Sequence, residues 1–497
     1  MRHPSPVTRH PLPLIHVSDL TFRFQGAQTE ALRRVNLSIA PGDFVVITGP
    51  SGSGKSTLAL ALSGYLFAQF DGETSGSVVI GGMDARETPI YDLAEVVGLV
   101  QQNPEAQFCT LTARDEVAFG LENRCLPRAE IRERIAWALD VVGARELEGR
   151  ALATLSGGEK QKIAIAAMLA ARPQVLIFDE PTSNLDPAAT ADIFAAIARI
   201  RAESGVAVVV IEHKTDYLRA FAPRYLRVAE GELAESAPPP PVTLPACAPP
   251  RHVNGAAPLA EVRGLHAGYN GRAVLHDVSL SIAPGEFVAV MGDNGAGKTT
   301  LLRCLLGLLK PRQGHVTILG QDTQRAPVSQ LAREVGFVFQ NPDHQLFAES
   351  VWEEATFAPR NFGALDEAAV SRVEALLAQS GLAHRRAEHP YRLSYGQKRR
   401  LNLASILSYA PRLLLLDEIL IGQDPENAEF LLSVLRERAA AGSAVVMINH
   451  SLEATRRYAD RLLFFAGGRL IVDAPTDAAF AELRARGWRH YAPEAGA

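Results

Sequence analysis

Two glycine-rich stretches constrain this chain more than anything else in it. The first is Gly49-Pro50-Ser51-Gly52-Ser53-Gly54-Lys55-Ser56-Thr57. It follows an apolar run, Phe44 to Thr48, that reads as a buried parallel strand, and it opens onto Leu58 to Leu66, which reads as a helix. Strand, glycine loop and helix, with a lysine and a hydroxyl at the end of the loop, form the phosphate-binding P-loop pattern. The glycines let successive backbone N–H groups turn inward and cup phosphates, and the positive end of the helix dipole adds to that field. Lys55 is expected to reach the β- and γ-phosphates, and Ser56 to place its hydroxyl on Mg²⁺. The plainer alternative, a Gly/Ser-rich turn that happens to hold a lysine, leaves the flanking strand and helix unexplained.

The second stretch, Gly292-Asp293-Asn294-Gly295-Ala296-Gly297-Lys298-Thr299-Thr300, repeats the first, and its approach Val278 to Val288 echoes Val35 to Val45. The echo continues downstream. Lys55 and Lys298 are 243 residues apart; Gln102 and Gln340, Ser156 and Ser394, and Asp179 and Asp417 are each 238 apart; His213 and His450 are 237 apart. A near-constant offset over five landmarks is a tandem duplication. Ser236 to Pro258, between the copies, holds eight prolines and almost no charge. It reads as a linker reaching up to roughly 70 Å at ~3.1 Å per residue. The expected layout is a tail over 1–13, a domain over 14–235, the linker over 236–258, a second domain over 259–490 and a tail over 491–497. Strand-like runs alternate with helix-length segments in each copy, so each domain is expected to be α/β with a mainly parallel sheet and a helical subdomain.

Composition excludes more than it selects. At 497 residues the chain exceeds one hydrophobic core. The net charge of −5 offers no global attraction to nucleic acid. Cys109, Cys125, Cys247 and Cys304 are scattered without metal-ligand spacing and fit a reduced compartment. Met1 to Pro13 lacks an apolar core, so no signal peptide is expected. The longest apolar run, Ile163 to Ala171, is about half of the ~20 residues a membrane helix needs.

In the first copy, Leu20 to Phe24 reads as a short strand ending in an aromatic that either stacks on a nucleobase or packs on the sheet. Val96 to Val100 leads into Gln101-Gln102-Asn103-Pro104, where a glutamine at a strand end can reach a metal ion or water. Leu155-Ser156-Gly157-Gly158-Glu159-Lys160-Gln161 opens a helix, either as an anion-binding end or as an ordinary capping box. Val175 to Glu180 is an apolar strand ending in two carboxylates: Asp179 to organise Mg²⁺, Glu180 to polarise an attacking water. Ser183-Asn184-Leu185-Asp186 follows in a turn, and Val206 to Ile211 ends in Glu212-His213, where a histidine can hydrogen-bond a γ-phosphate.

With these landmarks in this order, twice over, the chain resembles the ATP-binding cassette ATPases over roughly Leu14–Glu235 and Leu259–Asp473. The resemblance implies two P-loop domains pairing head to tail within one polypeptide, with ATP and Mg²⁺ as ligands. One composite site would use Lys55, Ser56, Gln102, Asp179, Glu180 and His213 facing Ser394 and Gly396. The other would use Lys298, Thr299, Gln340, Asp417, Glu418 and His450 facing Ser156 and Gly158. Phe24 and Tyr269 fit the family's adenine-stacking position. The second copy departs from the pattern in Leu393-Ser394-Tyr395-Gly396-Gln397, with tyrosine where the family prefers glycine, and in Ile421-Gly422-Gln423-Asp424. Both sites are expected to hydrolyse ATP, the first more slowly because it faces the altered loops.

Within the family, Gln102-Asn103-Pro104-Glu105-Ala106-Gln107-Phe108 and Gln340-Asn341-Pro342-Asp343-His344-Gln345-Leu346-Phe347 look like the run typical of energy-coupling-factor ATPases, and Asp115 to Asn123 continues the match. That implies a peripheral motor on the cytoplasmic face of the cell membrane, serving uptake of a vitamin, a vitamin precursor or a transition-metal ion. Its partners would be a transmembrane T-type coupling subunit and a small membrane substrate-binding subunit, gripped near Asn103–Glu122 and Asn341–Phe357, with no nucleic acid. A fused ATPase of a sugar-type importer and a soluble translation-type twin cassette are the competing readings.

Overall fold

The computed structural model describes residues 13–50, 52–183, 185–212, 214–239, 257–269 and 271–492. The chain divides into two compact units, the second of which also takes in Asp186–Ala188, and residues 240–256 of the expected linker lie outside the described part. Of the expected tails, residues 1–12 and 493–497 lie outside it as well, whereas Tyr491 and Ala492, expected in the second tail, are buried in a core of the second unit.

In the first unit ten strands run in chain order: β1 (Ile15–Phe24), β2 (Leu32–Ile39), β3 (Phe44–Thr48), β4 (Gly72–Ile80), β5 (Met83–Asp84), β6 (Val97–Val100), β7 (Val175–Asp179), β8 (Ala207–Ile211), β9 (Arg224–Ala229) and β10 (Glu232–Glu235). They form two sheets, β2-β1-β4-β5 and β10-β9-β3-β8-β7-β6. The larger sheet is parallel from β9 through β6 and closes with one antiparallel edge, β10 on β9. The smaller sheet is antiparallel throughout. The sequence reading expected the parallel sheet and saw only Leu20 to Phe24 of the other. Bulges in β1 between Val17 and Leu20 and again before Phe22 break the two-residue alternation that would have marked the whole strand.

The parallel strands read as unbroken apolar runs because both faces are covered. Phe44 and Val46 of β3, Leu176 and Phe178 of β7, and Val208 and Val210 of β8 face a core shared with the helices Ala113–Asn123, Arg128–Val141 and Gly157–Ala170. Their neighbours Val45, Ile47, Val175, Ile177, Val209 and Ile211 face a second core against the antiparallel sheet and the P-loop helix. Alternation of side chains along a strand thus divides one sheet between two cores.

The second unit repeats the plan with β11 (Ala260–Tyr269), β12 (Arg272–Ile282), β13 (Phe287–Gly292), β14 (Gln313–Ile318), β15 (Gln321–Asp322), β16 (Val335–Val338), β17 (Leu413–Asp417), β18 (Ala444–Ile448), β19 (Arg461–Ala466) and β20 (Arg469–Pro475). Its sheets are ordered β12-β11-β14-β15 and β16-β17-β18-β13-β19-β20, the same neighbours in the same sense as the first unit. The duplication read from spacing is therefore a duplication of topology. The second unit differs in two respects. Its helices Val351–Asn361 and Glu367–Gln379 enclose a small core of their own around Leu346, Val373, Leu377 and Leu393. A further helix, Thr476–Ala485, follows β20. Among the described residues no helix is long and apolar enough to cross a membrane.

Candidate functional site

Each P-loop joins the end of a parallel strand to a helix. The first helix spans Lys55–Leu62 and the second Lys298–Leu305. The expected helix to Leu66 breaks early: Gly64 takes φ 80, and a separate short helix runs Tyr65–Gln69. Two glycines set the loop geometry. Gly49 sits at φ 146, where an added Cβ would fall 2.0 Å from the Val228 carbonyl oxygen; Gly292 sits at φ 139, 2.0 Å from that of Phe465. No other residue fits a loop pressed this closely onto the neighbouring strand.

Inside each loop the lysine is buried. Lys55 Nζ donates to the carbonyls of Gly49 (2.9 Å) and Pro50 (2.8 Å), and Lys298 Nζ donates to those of Gly292 (2.8 Å) and Asp293 (2.9 Å). Burial lowers the Lys298 pKa, opposed by the Glu418 charge. Ser53 is also buried, and its Oγ has no hydrogen-bond partner. Gly52, Gly54, Gly295, Ala296, Gly297, Asn294, Thr57 and Thr300 complete the two loops, and Ser51 lies outside the described residues.

The strand ends bring the acidic groups to the same place. Ser56 Oγ donates to Asp179 Oδ1 at 3.3 Å, and Thr299 Oγ1 donates to Asp417 Oδ1 at 3.4 Å. Burial pushes both aspartates up to about 6. A hydroxyl and a carboxylate are hard oxygen donors of the kind Mg²⁺ takes alongside phosphate oxygens. Among the described residues no cluster of three His, Cys, Asp or Glu could hold a metal by itself. The residues present fit a Mg²⁺ carried in with a nucleotide.

The glutamate after each aspartate leaves the strand in left-handed conformation, Glu180 at φ 47 and Glu418 at φ 49. Their N–H groups still donate to the ends of β8 and β18, to Ile211 at 2.9 Å and Ile448 at 3.1 Å. The backbone is thus held by the sheet while the side chain turns away from it. Gln102 Nε2 donates to Glu180 Oε2 at 3.2 Å, and Gln340 Nε2 donates to Glu418 Oε2 at 2.8 Å. The sequence reading aimed both glutamines at the metal; here their amide nitrogens meet the glutamates, and the amide oxygen is the atom a metal role would use. His450 Nε2 lies 3.1 Å from Glu418 Oε1. Burial raises the Glu418 pKa and the His450 hydrogen bond and charge lower it further, for a net downward shift. His213 lies outside the described residues.

Ser156 and Ser394 cap their helices through complete capping boxes. Glu159 N donates to Ser156 Oγ (3.3 Å) and Ser156 N to Glu159 Oε2 (2.7 Å); in the second unit the pair is Gln397 N to Ser394 Oγ (3.3 Å) and Ser394 N to Gln397 Oε1 (3.0 Å). The capping reading is therefore realised, and it leaves each hydroxyl proton to donate elsewhere. At Gly158 an added Cβ would meet Ala189 Cβ at 2.9 Å; Gly396 has Asn427 Nδ2 at 3.3 Å. Tyr395 turns its ring over Gly422, so the two departures from the family pattern touch one another. Phe24 is half-buried, edge-on to Phe22 at 4.9 Å and Phe70 at 5.6 Å. Tyr269 is 37% exposed and accepts from Arg303 Nη1 at 3.1 Å.

Two contacts had no sequence signal near the motifs. Tyr491, buried at the C-terminal end, donates its hydroxyl to Asp293 Oδ1 of the second P-loop at 2.7 Å. Arg399, fully buried in the helix opened by Ser394, reaches the backbone at Gln340. Aligning the two repeats would have flagged Arg399, since the first repeat has Gln161 there; nothing local flags Tyr491.

A family model described as "ABC transporter" matches residues 32–183 and again 275–420. A Methanosarcina acetivorans protein described as "Putative ABC transporter ATP-binding protein" is 34% identical over 534 residues, covering 94% of this chain and 87% of that protein. A Bacillus subtilis protein described as "Putative HMP/thiamine import ATP-binding protein YkoD" is 32% identical over 492 residues, covering 90% of this chain and 89% of that protein. A solved structure of cbiO1 from Clostridium perfringens, described as part of the ABC transporter complex cbiONQ, has 30% identity and a TM-score of 0.42, covering 47% of this chain and 95% of that one.

Proposed function

The chain belongs to the ABC transporter family and is an ATPase with a duplicated cassette, and from that premise we propose that it is the motor of an energy-coupling-factor type importer. The solute would be a vitamin, a vitamin precursor or a transition-metal ion, taken up through a T-type transmembrane subunit and a small membrane substrate-binding subunit. The chain would sit at the cytoplasmic face of the membrane.

In this reading Lys55 and Lys298 exchange loop carbonyls for the β- and γ-phosphates. Ser56 with Asp179, and Thr299 with Asp417, are the residues that would hold Mg²⁺, which when bound neutralises charge developing on the phosphates. Glu180 and Glu418 accept a hydrogen bond from the attacking water and orient it. His450 holds Glu418 and can pass its own hydrogen bond to the γ-phosphate. The low pKa of Glu418 keeps that carboxylate ionised at neutral pH, as an acceptor must be. Pairing of the cassettes within the chain, with Ser156, Gly158, Ser394 and Gly396 completing the ATP sites, belongs to the same proposal and rests on the family resemblance alone.

The observation that carries the import reading is apolar surface beside the glutamine loop of each unit. Leu111 is 84% exposed and Phe119 42%. In the second unit Phe347 and Phe357 are exposed and stack edge-to-face at 4.5 Å. They fall within the segments expected to grip a partner helix. The paired rings of Phe347 and Phe357 form contiguous exposed apolar surface, the kind that marks an interaction site. The name of the Bacillus subtilis relative, an HMP/thiamine import protein, supports the same class.

The test is an affinity pull-down of the tagged chain from detergent-solubilised membranes and from cytosol, read by mass spectrometry. The proposal expects a multi-helix T-type subunit with a small hydrophobic binding protein. Recovery of a sugar-type permease, or of ribosomes without membrane proteins, contradicts it.

A further inference from the structure

At one buried position of the helix that follows the capping serine the two repeats differ in charge. Arg399 stands where the first repeat has Gln161, at the common offset of 238 residues. Both are buried, Arg399 completely and Gln161 to 2% exposure. Gln161 leaves its Nε2 without a hydrogen-bond partner and lines a cavity with Gln102, Asn103, Pro104, Glu105 and Lys160. Arg399 instead spans the matching space. Its Nη1 donates to the Phe339 carbonyl at 2.5 Å and its Nη2 donates to the Gln340 carbonyl. The side chain of that same Gln340 donates to Glu418.

Taking a guanidinium out of water is expensive; among the described residues Arg399 bonds these two carbonyls and the Tyr395 hydroxyl at 3.5 Å, lies 5.9 Å from the Tyr395 ring centroid, and leaves its Nε without a hydrogen-bond partner. A hydrophobic residue would fill the space at less cost, so packing alone does not account for it. The planar fork of arginine suits two adjacent carbonyls in a way a lysine ammonium does not. A neighbouring difference works in the same sense. Asn402, where the first repeat has Ala164, donates to the Pro342 carbonyl at 3.1 Å. The ion pair Lys398–Asp343 has its counterpart in Lys160–Glu105, so that tie is common to both units.

We infer that Arg399 is a positioning residue that clamps the glutamine-loop backbone to the helix opened by Ser394, so that Gln340 presents its amide to Glu418. The inference rests on the ATPase reading of the second cassette. Its consequence is an asymmetry: movement of the helix behind the capping serine carries the glutamine loop with it in the second cassette and does so less tightly in the first, where Gln161 leaves a gap.

Two measurements on the full-length chain test it. Hydrogen exchange reads the clamp without needing turnover. In Arg399→Gln, amides of residues 339–346 should exchange faster; in the reciprocal Gln161→Arg, those of residues 101–107 should exchange more slowly. Unchanged exchange at both loops overturns the inference. Steady-state hydrolysis in a Glu180→Gln background then reads the effect on Glu418. Arg399→Gln should lower kcat about tenfold while KM for ATP stays within about twofold, since an orienting contact is lost and nucleotide binding is not. Millimolar guanidinium should restore part of the kcat of Arg399→Ala, which a general loss of folding would not allow. Faster exchange with an unaltered kcat, or kcat and ATP affinity falling together with thermal stability, overturns the positioning role. A Glu180→Gln parent that binds ATP but turns over none counts against hydrolysis at the second cassette, and the exchange result still decides the clamp.

Discussion

Glu180 and Glu418 hold backbone angles that residues with a side chain rarely adopt, at matching points of two repeats. Strain of this kind costs on the order of 1–3 kcal/mol and persists where the surroundings over-determine it. Here the backbone N–H is tied to the neighbouring strand while the carboxylate turns to its glutamine. The glutamates themselves were legible from the sequence, as the last of an apolar run ending in two acids. Their conformation was not, because it depends on a hydrogen bond to a strand some thirty residues on. The loop glycines yield a sharper expectation. Gly292→Ala would force a Cβ onto the Phe465 carbonyl in left-handed backbone, so nucleotide affinity at the second site should fall at least ~10-fold, measured with a fluorescent ATP analogue. The aspartates yield a pH dependence. Asp179 and Asp417 titrate at about 6 because burial disfavours their charge. Their folded pKa lies above the unfolded value, so their contribution to stability is full below about pH 4 and is lost as pH rises through about 6. In their proposed role at Mg²⁺ both would have to be ionised when ATP binds. Calorimetry in buffers of different ionisation enthalpy should therefore show proton release near pH 6 that fades towards pH 8 and shrinks in Asp417→Asn.

At the scale of elements, the strands that carry the site were the most readable parts of the chain. Phe44–Thr48 has the expected bounds, and β7 and β8 differ from their expected ends by one residue. Buried parallel strands announce themselves as short apolar runs. The helix opened by Ser156 was readable from the capping box, although it runs Gly157–Ala170 where Lys162 to Ala171 was expected. Replacing Ser156 or Ser394 with alanine should destabilise its own unit by ~1 kcal/mol. Chemical denaturation of the two single variants checks this. The C-terminal segment was unreadable in function because Tyr491 reaches Asp293 only after Thr476–Ala485 has packed on the sheet beside β19 and β20. Tyr491→Phe removes the hydrogen bond to Asp293, worth ~1 kcal/mol, and should weaken ATP binding at the second P-loop several-fold.

At the scale of the molecule, duplication explains both the likeness and the differences of the two units. Each buries its own cores and repeats the same strand order. The site residues lie where that shared order puts them, at the carboxyl ends of parallel strands, as expected of an open α/β sheet. The differences accumulate in the second unit: Tyr395 against Gly422, Arg399 on the glutamine loop, and a C-terminal helix. None of these removes a lysine, an aspartate or a glutamate from its place. Both cassettes are therefore expected to hydrolyse ATP. The most direct test is the steady-state Mg²⁺-dependent ATPase activity of the full-length protein beside Glu180→Gln, Glu418→Gln and the double variant. Each single variant should lose part of the turnover, the second-site variant more, and the double variant should fall by ~100-fold or more while still binding ATP. Full activity in one single variant and none in the other would contradict this expectation.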